Sequence, residues 1–70
     1  MKLYIARPKR QYGNIVYVSF AKPRKYEYPK ANEIDFFFGY NPYLTIFPHE
    51  LPEGLRDIQP GEIKEFKLVP

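Results

Sequence analysis

Cysteine and tryptophan are absent from this 70-residue chain. Without cysteine there can be no disulfide, no thiolate metal site and no cysteine nucleophile, and a small domain without disulfides fits the reducing cytoplasm better than secretion. Long apolar runs are also missing. A signal peptide needs an apolar run of about 7 to 15 residues, and Arg7 and Pro8 interrupt the N-terminal stretch before it reaches that length. No segment approaches the roughly 20 apolar residues of a membrane span. We therefore expect a cytoplasmic protein with no membrane partner.

Groups with nucleophilic or metal-binding chemistry are scarce. The chain has one serine, Ser19, one threonine, Thr45, and one histidine, His49. Ser19 and Thr45 fall in predicted strands without the context of a nucleophile elbow. His49 has no second imidazole or thiolate with which to complete a zinc site. We expect no enzyme, no catalytic residue, no metal and no cofactor.

Aromatic residues and prolines are abundant instead. The thirteen Tyr and Phe residues make up 19% of the chain, and eight prolines are spread along it. Proline disrupts helix interiors, and aromatic residues favour strands, so this composition favours strands joined by stiff loops. The length predicts one β-rich domain, residues 1–70, with a narrow stability margin, because so short a chain buries only about 60% of its unfolded surface.

Alternation of apolar and polar residues predicts five strands. The expected fold is all-β: a small antiparallel sheet, sandwich or partly open barrel, with at most one helical turn, placed between Pro48 and Ile58. The predicted strands occupy residues 2–6, 14–20, 33–38, 43–47 and 62–69. The expected core consists of Leu3, Ile5, Val16, Val18, Phe20, Ile34, Phe36, Phe38, Leu44, Ile46, Phe66 and Leu68.

Turn residues set the expected pairing of these strands. The first two strands should form a hairpin, and the third and fourth a second hairpin around the turn at residues 39–42. The last strand is expected to pair with the first. Lys2 would then lie beside Glu62 or Glu65 as a cross-strand pair of opposite charge, which absorbs part of the charge asymmetry of the chain.

Two segments break the alternation. Pro23 and Pro29 cannot donate to a sheet ladder, so residues 22–32 are predicted to be a loop. In the last strand the apolar positions slip between Ile63 and Phe66, which predicts a β-bulge.

Charge is distributed unevenly along the chain. The net charge is +3, but residues 1–30 carry eight Lys or Arg and a single Glu, whereas residues 31–70 carry three cations and seven carboxylates. Such asymmetry is typical of a chain whose basic half binds a polyanion, and equally of two halves that pair with each other in one sheet.

Two basic stretches combine cations with aromatic rings: residues 7–12, the first basic stretch, and residues 22–30, the second basic stretch. Single-stranded nucleic acid binds such combinations, because cations follow its phosphates while its bases stack on rings. The two stretches flank the second strand, so we expect them at opposite ends of the sheet; plain solvated loops are the alternative. The candidate nucleic-acid-binding residues are Lys9, Arg10, Tyr12, Arg24, Lys25, Tyr26 and Tyr28.

Several aromatic residues fall on the strand faces opposite the expected core. Unless the sheet closes on itself and buries them, they form an exposed apolar patch, which usually marks an interaction surface. The leading hypothesis is a non-enzymatic protein-interaction module that binds a protein partner or a second copy of itself. The alternative is a small nucleic-acid-binding β-domain. The candidate protein-binding residues are Tyr4, Tyr17, Phe37, Tyr43 and Phe47.

The two ends of the sequence resemble short uncharacterised proteins of gut anaerobic bacteria and their mobile elements. The similar parts are residues 1–7 (MKLYIAR) and the closing portion of the chain, from residues 51–53 (LPE) through residues 63–69 (IKEFKLV). They cover about a third of the chain, and residues 36–38 (FFF) depart from the pattern. The resemblance implies a bacterial or phage accessory protein and assigns no activity or functional residue.

Overall fold

The structure, a computed structural model, describes residues 1–69, and within them it is all-β, as predicted. Two antiparallel sheets contain four and two strands, and they do not close into a barrel. None of the described segments is a helix long and apolar enough to cross a membrane. The strands are β1 (Lys2–Ala6), β2 (Val16–Ser19), β3 (Arg24–Tyr28), β4 (Glu33–Phe37), β5 (Leu44–Ile46) and β6 (Ile63–Lys67).

The four-stranded sheet has the order β5-β2-β1-β6, with β1 between β2 and β6. The predicted pairing of the first strand with both the second and the last is confirmed. The Nζ atom of Lys2 lies 3.0 Å from Oε1 of Glu65, so the predicted cross-strand ion pair forms too. Its hydrogen bond and the charge of the Glu65 carboxylate raise the pKa of Lys2. Both side chains are exposed, so the pair contributes little to stability.

The second predicted hairpin is wrong, and so is the predicted loop. Strand β4 pairs with β3, which runs through the second basic stretch, and β5 pairs with β2. Pro23 and Pro29 lie just outside β3, so every amide between them can donate to the ladder. All five side chains of β3 are exposed, so its sequence has no apolar alternation to reveal it. We call the β3–β4 pair the ribbon.

One face of the four-stranded sheet, the first face, is covered by the segment between β5 and β6. Leu51 and Ile58 from this segment form a buried cluster with Ile5 and Val16. The segment contains two separate 3-10 turns, Pro48–Glu50 and Glu53–Leu55, where one turn was predicted. It holds its shape through local hydrogen bonds rather than through a helix.

The ribbon covers the opposite face, the second face. Phe36 and Phe38 pack there against Ala6 and Tyr17, and Ile63 joins them. The predicted β-bulge is absent, because the β1–β6 register runs unbroken from Lys2 to Ala6. The apolar positions of β6 shift because Ile63 packs on the second face and Phe66 on the first.

Covering of the first face is incomplete, which corrects part of the expected core. Phe20, Leu44 and Leu68 are exposed by 62%, 67% and 40%. They lie at the end of the sheet away from Leu51 and Ile58, where no described segment buries them. The remaining expected core residues are buried (Ile5, Val16, Phe36 and Phe38) or half-buried (Leu3, Val18, Ile34, Ile46 and Phe66).

The chain passes from one sheet to the other at the buried Pro8. On one side of it, Arg7 extends the β1–β6 ladder, since its amide donates to the carbonyl of Glu62. On the other side, Lys9 forms a bridge to Ile34, with N···O distances of 2.8 and 2.9 Å. The first basic stretch therefore joins the four-stranded sheet to the ribbon.

Gly61 makes this joint close-packed. Its φ is +85°, and a Cβ built on it would lie 2.8 Å from Cδ1 of Ile34. Gly39 has a similar positive φ, +65°, but nothing lies within 4 Å of its Cβ position. Both glycines thus have a positive φ, which disfavours any L side chain, but only Gly61 also lies too close to Ile34 for a Cβ atom to fit.

Gly61→Ala should therefore lower the free energy of unfolding more than Gly39→Ala. Both substitutions place an L side chain in the left-handed region, which costs about 1–2 kcal/mol. Only Gly61→Ala also forces Ile34 out of its packing, which should add about 1 kcal/mol. Urea unfolding followed by circular dichroism measures both losses, and equal losses would contradict the close approach at the joint.

Candidate binding surfaces

Two of the five predicted protein-binding residues are buried. Tyr4 and Tyr17 are each only 7% exposed, so the expectation that they form an outer surface is wrong. Both lie on the second face, and the ribbon covers Tyr17 there. The sequence pattern identified their face correctly but not the strands that pack over it.

The other three predicted residues are about half exposed but lie in separate places. Phe37 belongs to the ribbon. Tyr43 stacks on Phe38 with a centroid distance of 4.8 Å, just before β5. Phe47 stacks on His49, just after β5. The single aromatic sheet face expected from the sequence does not form.

The cations of the first basic stretch are bound within the molecule. The guanidinium of Arg7 donates to the carbonyl of Ile58 and to Oδ1 of Asn14. The ammonium of Lys9 donates to Oδ1 of Asn32 at 3.0 Å. These contacts reinforce the joint at Pro8, so the stretch serves the fold.

Arg10, Tyr17 and Asp35 form a polar network where the ribbon meets the second face. Nη2 of Arg10 lies 2.8 Å from both the Tyr17 hydroxyl and Oδ2 of Asp35. The Tyr17 hydroxyl donates to Oδ1 of Asp35 at 3.4 Å. Burial raises the pKa of Tyr17, and the negative charge of Asp35 raises it further, against the opposing charge of Arg10. Tyr12, the aromatic residue of this stretch, is 81% exposed and lies outside the network.

The second basic stretch is arranged differently. Cross-strand register places Arg24 opposite Phe37, and alternation along β3 puts Tyr26 and Tyr28 on that same side. Tyr26, Tyr28 and Phe37 are exposed by 41%, 44% and 45%. Tyr26 and Phe37 pack edge to face with ring centroids 4.6 Å apart. Arg24, Tyr26, Tyr28 and Phe37 together form what we call the ribbon face.

The uncovered end of the first face forms an apolar groove of about 210 Å³. Among the described residues, no charged side chain lines this groove. Its one hydroxyl, that of Ser19, donates to the carbonyl of Pro42 and accepts from the amide of Ala21, so it is already satisfied. Met1 and Leu68, which are hydrogen-bonded through their backbones, extend the exposed apolar surface beside Leu3. The groove is lined by Leu3, Val18, Ser19, Phe20, Pro42, Tyr43 and Leu44.

Sequence reasoning missed this groove because it assigned Phe20 and Leu44 to the core. Alternation along a strand records which face a side chain takes, but it does not record whether another segment covers that face. Tyr43 is the single groove residue that was predicted to bind a protein. Five of the predicted binding residues therefore lie on one of two exposed surfaces. Tyr43 lines the groove, and the other four form the ribbon face: Arg24, Tyr26, Tyr28 and Phe37.

No protein-family model matches the chain, and no curated protein and no solved structure is significantly similar to it. Among residues 1–69, no group of three or more His, Asp or Glu side chains is placed to hold a metal ion. The described surfaces include an apolar groove and a face with three exposed aromatic rings and Arg24.

Stability should fall at alkaline pH because of Tyr17. Its folded-state pKa is raised above 10.0, so the proton that the unfolded chain releases near that pH is retained in the folded chain. The stabilisation is complete below the unfolded pKa and is lost as pH rises through the folded value. Urea unfolding from neutral to strongly alkaline pH should show this loss, and Tyr17→Phe should make it less steep.

Tyr12→Phe is the matched control, since Tyr12 is exposed. It should leave the alkaline loss of stability as steep as in the unmodified chain. At neutral pH, Tyr17→Phe should itself lower the free energy of unfolding by about 1 kcal/mol, because Arg10 and Asp35 each lose a hydrogen-bond partner. An unchanged alkaline slope in Tyr17→Phe would contradict the role of the buried hydroxyl.

Proposed function

We propose that this chain is a non-enzymatic protein-interaction module that acts in the cytoplasm and self-associates through the apolar groove. The observation that carries the proposal is the exposure of Phe20 and Leu44, by 62% and 67%, around a groove without charged lining residues. Contiguous exposed apolar surface of this kind usually marks an interaction site. The groove replaces the aromatic sheet face as the interaction surface.

The total surface supports an interface of ordinary size. The accessible surface is 5330 Å², and the molecule measures 43 × 27 × 15 Å. A compact monomer of this mass, 8.4 kDa, exposes about 4,600 Å². The surplus of roughly 700 Å² is close to the about 800 Å² that each partner buries in a standard interface.

Charge supports a second copy as the occupant. The cations of β3 lie on the ribbon, which covers the second face, whereas the groove opens on the first face. Two copies that meet groove to groove therefore keep their basic ribbons apart, despite the net charge of +3 on each. In a twofold arrangement, Phe20 and Leu44 of each copy contact the groove of the other.

Phe20→Ser combined with Leu44→Thr should weaken self-association about tenfold or more, because the variant removes the apolar side chains at the centre of the contact. Both residues are exposed, so stability should change by no more than about 0.5 kcal/mol for each substitution. Sedimentation equilibrium at low and high salt measures the association. The dimer constant should depend little on salt, since apolar burial is not screened by ions.

Tyr40→Ser is the control, because Tyr40 is fully exposed and does not line the groove. It should associate as strongly as the unmodified chain. A chain that stays monomeric at millimolar concentration would refute self-association. A dimer that the groove variant leaves intact would show that a different surface joins the copies.

A further inference from the structure

The ribbon face differs in chemistry from the groove and requires a different ligand. It presents two aromatic rings from β3, those of Tyr26 and Tyr28, and one from β4, that of Phe37. Lysines flank β3 in the sequence, and the ribbon lies over the second face rather than the first. We propose that the ribbon face binds single-stranded nucleic acid, with its rings stacking on bases and the cations of β3 contacting phosphates. This proposal is independent of the groove and of self-association.

The rings are arranged for stacking. Tyr26 and Tyr28 are two residues apart on one side of β3, so they are separated by about 7 Å. The sugar–phosphate repeat of an extended single strand is similar, so successive bases can meet successive rings. The edge-to-face contact with Phe37 holds the Tyr26 ring in place before any ligand binds. Such preorganisation lowers the entropy cost of binding.

Cations lie along β3 and just outside both of its ends, with Arg24 on the same side as the rings and Lys25 on the opposite side. Residues 22–30 contain four of them, and all four side chains are exposed. The stretch contains one carboxylate, Glu27, whose Oε1 is 3.9 Å from Nζ of Lys25, a long distance for an ion pair. The positive charge of the stretch is therefore available to an incoming polyanion. The four cations are Lys22, Arg24, Lys25 and Lys30.

The carboxylates of β4 would repel phosphates, but the first basic stretch engages both of them. Asp35 is held by Arg10 at 2.8 Å. Glu33 accepts a hydrogen bond from the backbone amide of Gln11 through its Oε2 atom. Both carboxylates are half-buried. The register places both carboxylates on the same side of the ribbon as Tyr26 and Tyr28. Arg10 thus favours binding indirectly, because it compensates the charge of Asp35 on the ribbon face.

Exposed rings favour a single strand over a duplex. In a duplex the base faces are already stacked on one another, and the rings of a flat ribbon cannot reach them. In a single strand every base offers a free face, and an aromatic ring gains from each contact irrespective of sequence. We therefore expect binding with little sequence preference.

Fluorescence anisotropy with a labelled oligothymidine of about 15 nucleotides tests the stacking rings. Tyr28→Ala and Tyr26→Ala should each weaken binding about fivefold or more, since each loses one stacked base. Tyr12→Ala, which removes an exposed tyrosine from the first basic stretch, should leave the affinity unchanged. Duplex DNA of equal length should compete poorly.

Salt dependence tests the phosphate contacts. Between about 50 and 200 mM salt, the logarithm of the affinity should fall linearly with the logarithm of the salt concentration, by about 0.7 per contact. Arg24→Gln should reduce that slope by about 0.7, and Arg24→Gln with Lys25→Gln by about 1.4. Lys67→Gln removes an exposed charge from β6 and should leave the slope unchanged.

Two variants keep the test informative if Tyr26→Ala disturbs the ribbon. Tyr28 and Arg24 are exposed, and neither takes part in the edge-to-face pair, so their substitution should leave the circular dichroism spectrum unchanged. Absence of oligothymidine binding at low salt would overturn the proposal. Unchanged affinity in Tyr28→Ala, or equal competition by duplex DNA, would also overturn it. Either result would mean that the positive charge of the ribbon attracts any polyanion, without stacking.

Discussion

Both faces of the four-stranded sheet are apolar, and the rest of the structure follows from covering them with the few residues that remain. A sheet with two apolar faces needs a layer on each side. The ribbon supplies one layer with Phe36 and Phe38, and the segment between β5 and β6 supplies a partial one with Leu51 and Ile58. Residues 1–69 contain no third element to extend the partial layer. The apolar groove is the part of the first face that stays uncovered.

The ribbon is held in place by the cations of the first basic stretch, whose positive charge had suggested a ligand site in the N-terminal half. Arg7, Lys9 and Arg10 make contacts inside the molecule, with carbonyl, amide and carboxylate oxygens of other segments. Half of the charge asymmetry therefore has a structural explanation. The other half lies in the second basic stretch, where the long contact between Lys25 and Glu27 stays within β3 and joins no separate segments. This difference separates the two basic stretches.

The sequence predicted the fold class, the central strand and its two partners, because β1 and β2 alternate clearly and β6 follows a recognisable turn. The slip of the apolar positions in β6 was misread as a bulge. It failed at β3, where a strand exposed on both sides has no alternation and adjacent prolines suggest a loop. It also failed at Phe20 and Leu44, because burial depends on a covering segment from elsewhere in the chain. The candidate site was predictable only in part: Tyr43 marks the groove, and Arg24, Tyr26 and Tyr28 mark the ribbon face. Neither surface could be assembled before the partner of each strand was known.

The position of β1 has a consequence for how the chain folds. One of its two neighbours, β6, lies about sixty residues further along, and pairings so distant in sequence slow folding because the intervening loop must close first. During synthesis, one edge of β1 stays open until β6 has been made. Ile5 also stays exposed until the segment before β6 has been made, since Leu51 and Ile58 cover it in the folded chain. In a cell, this interval is when the chain is most exposed to aggregation and to chaperones.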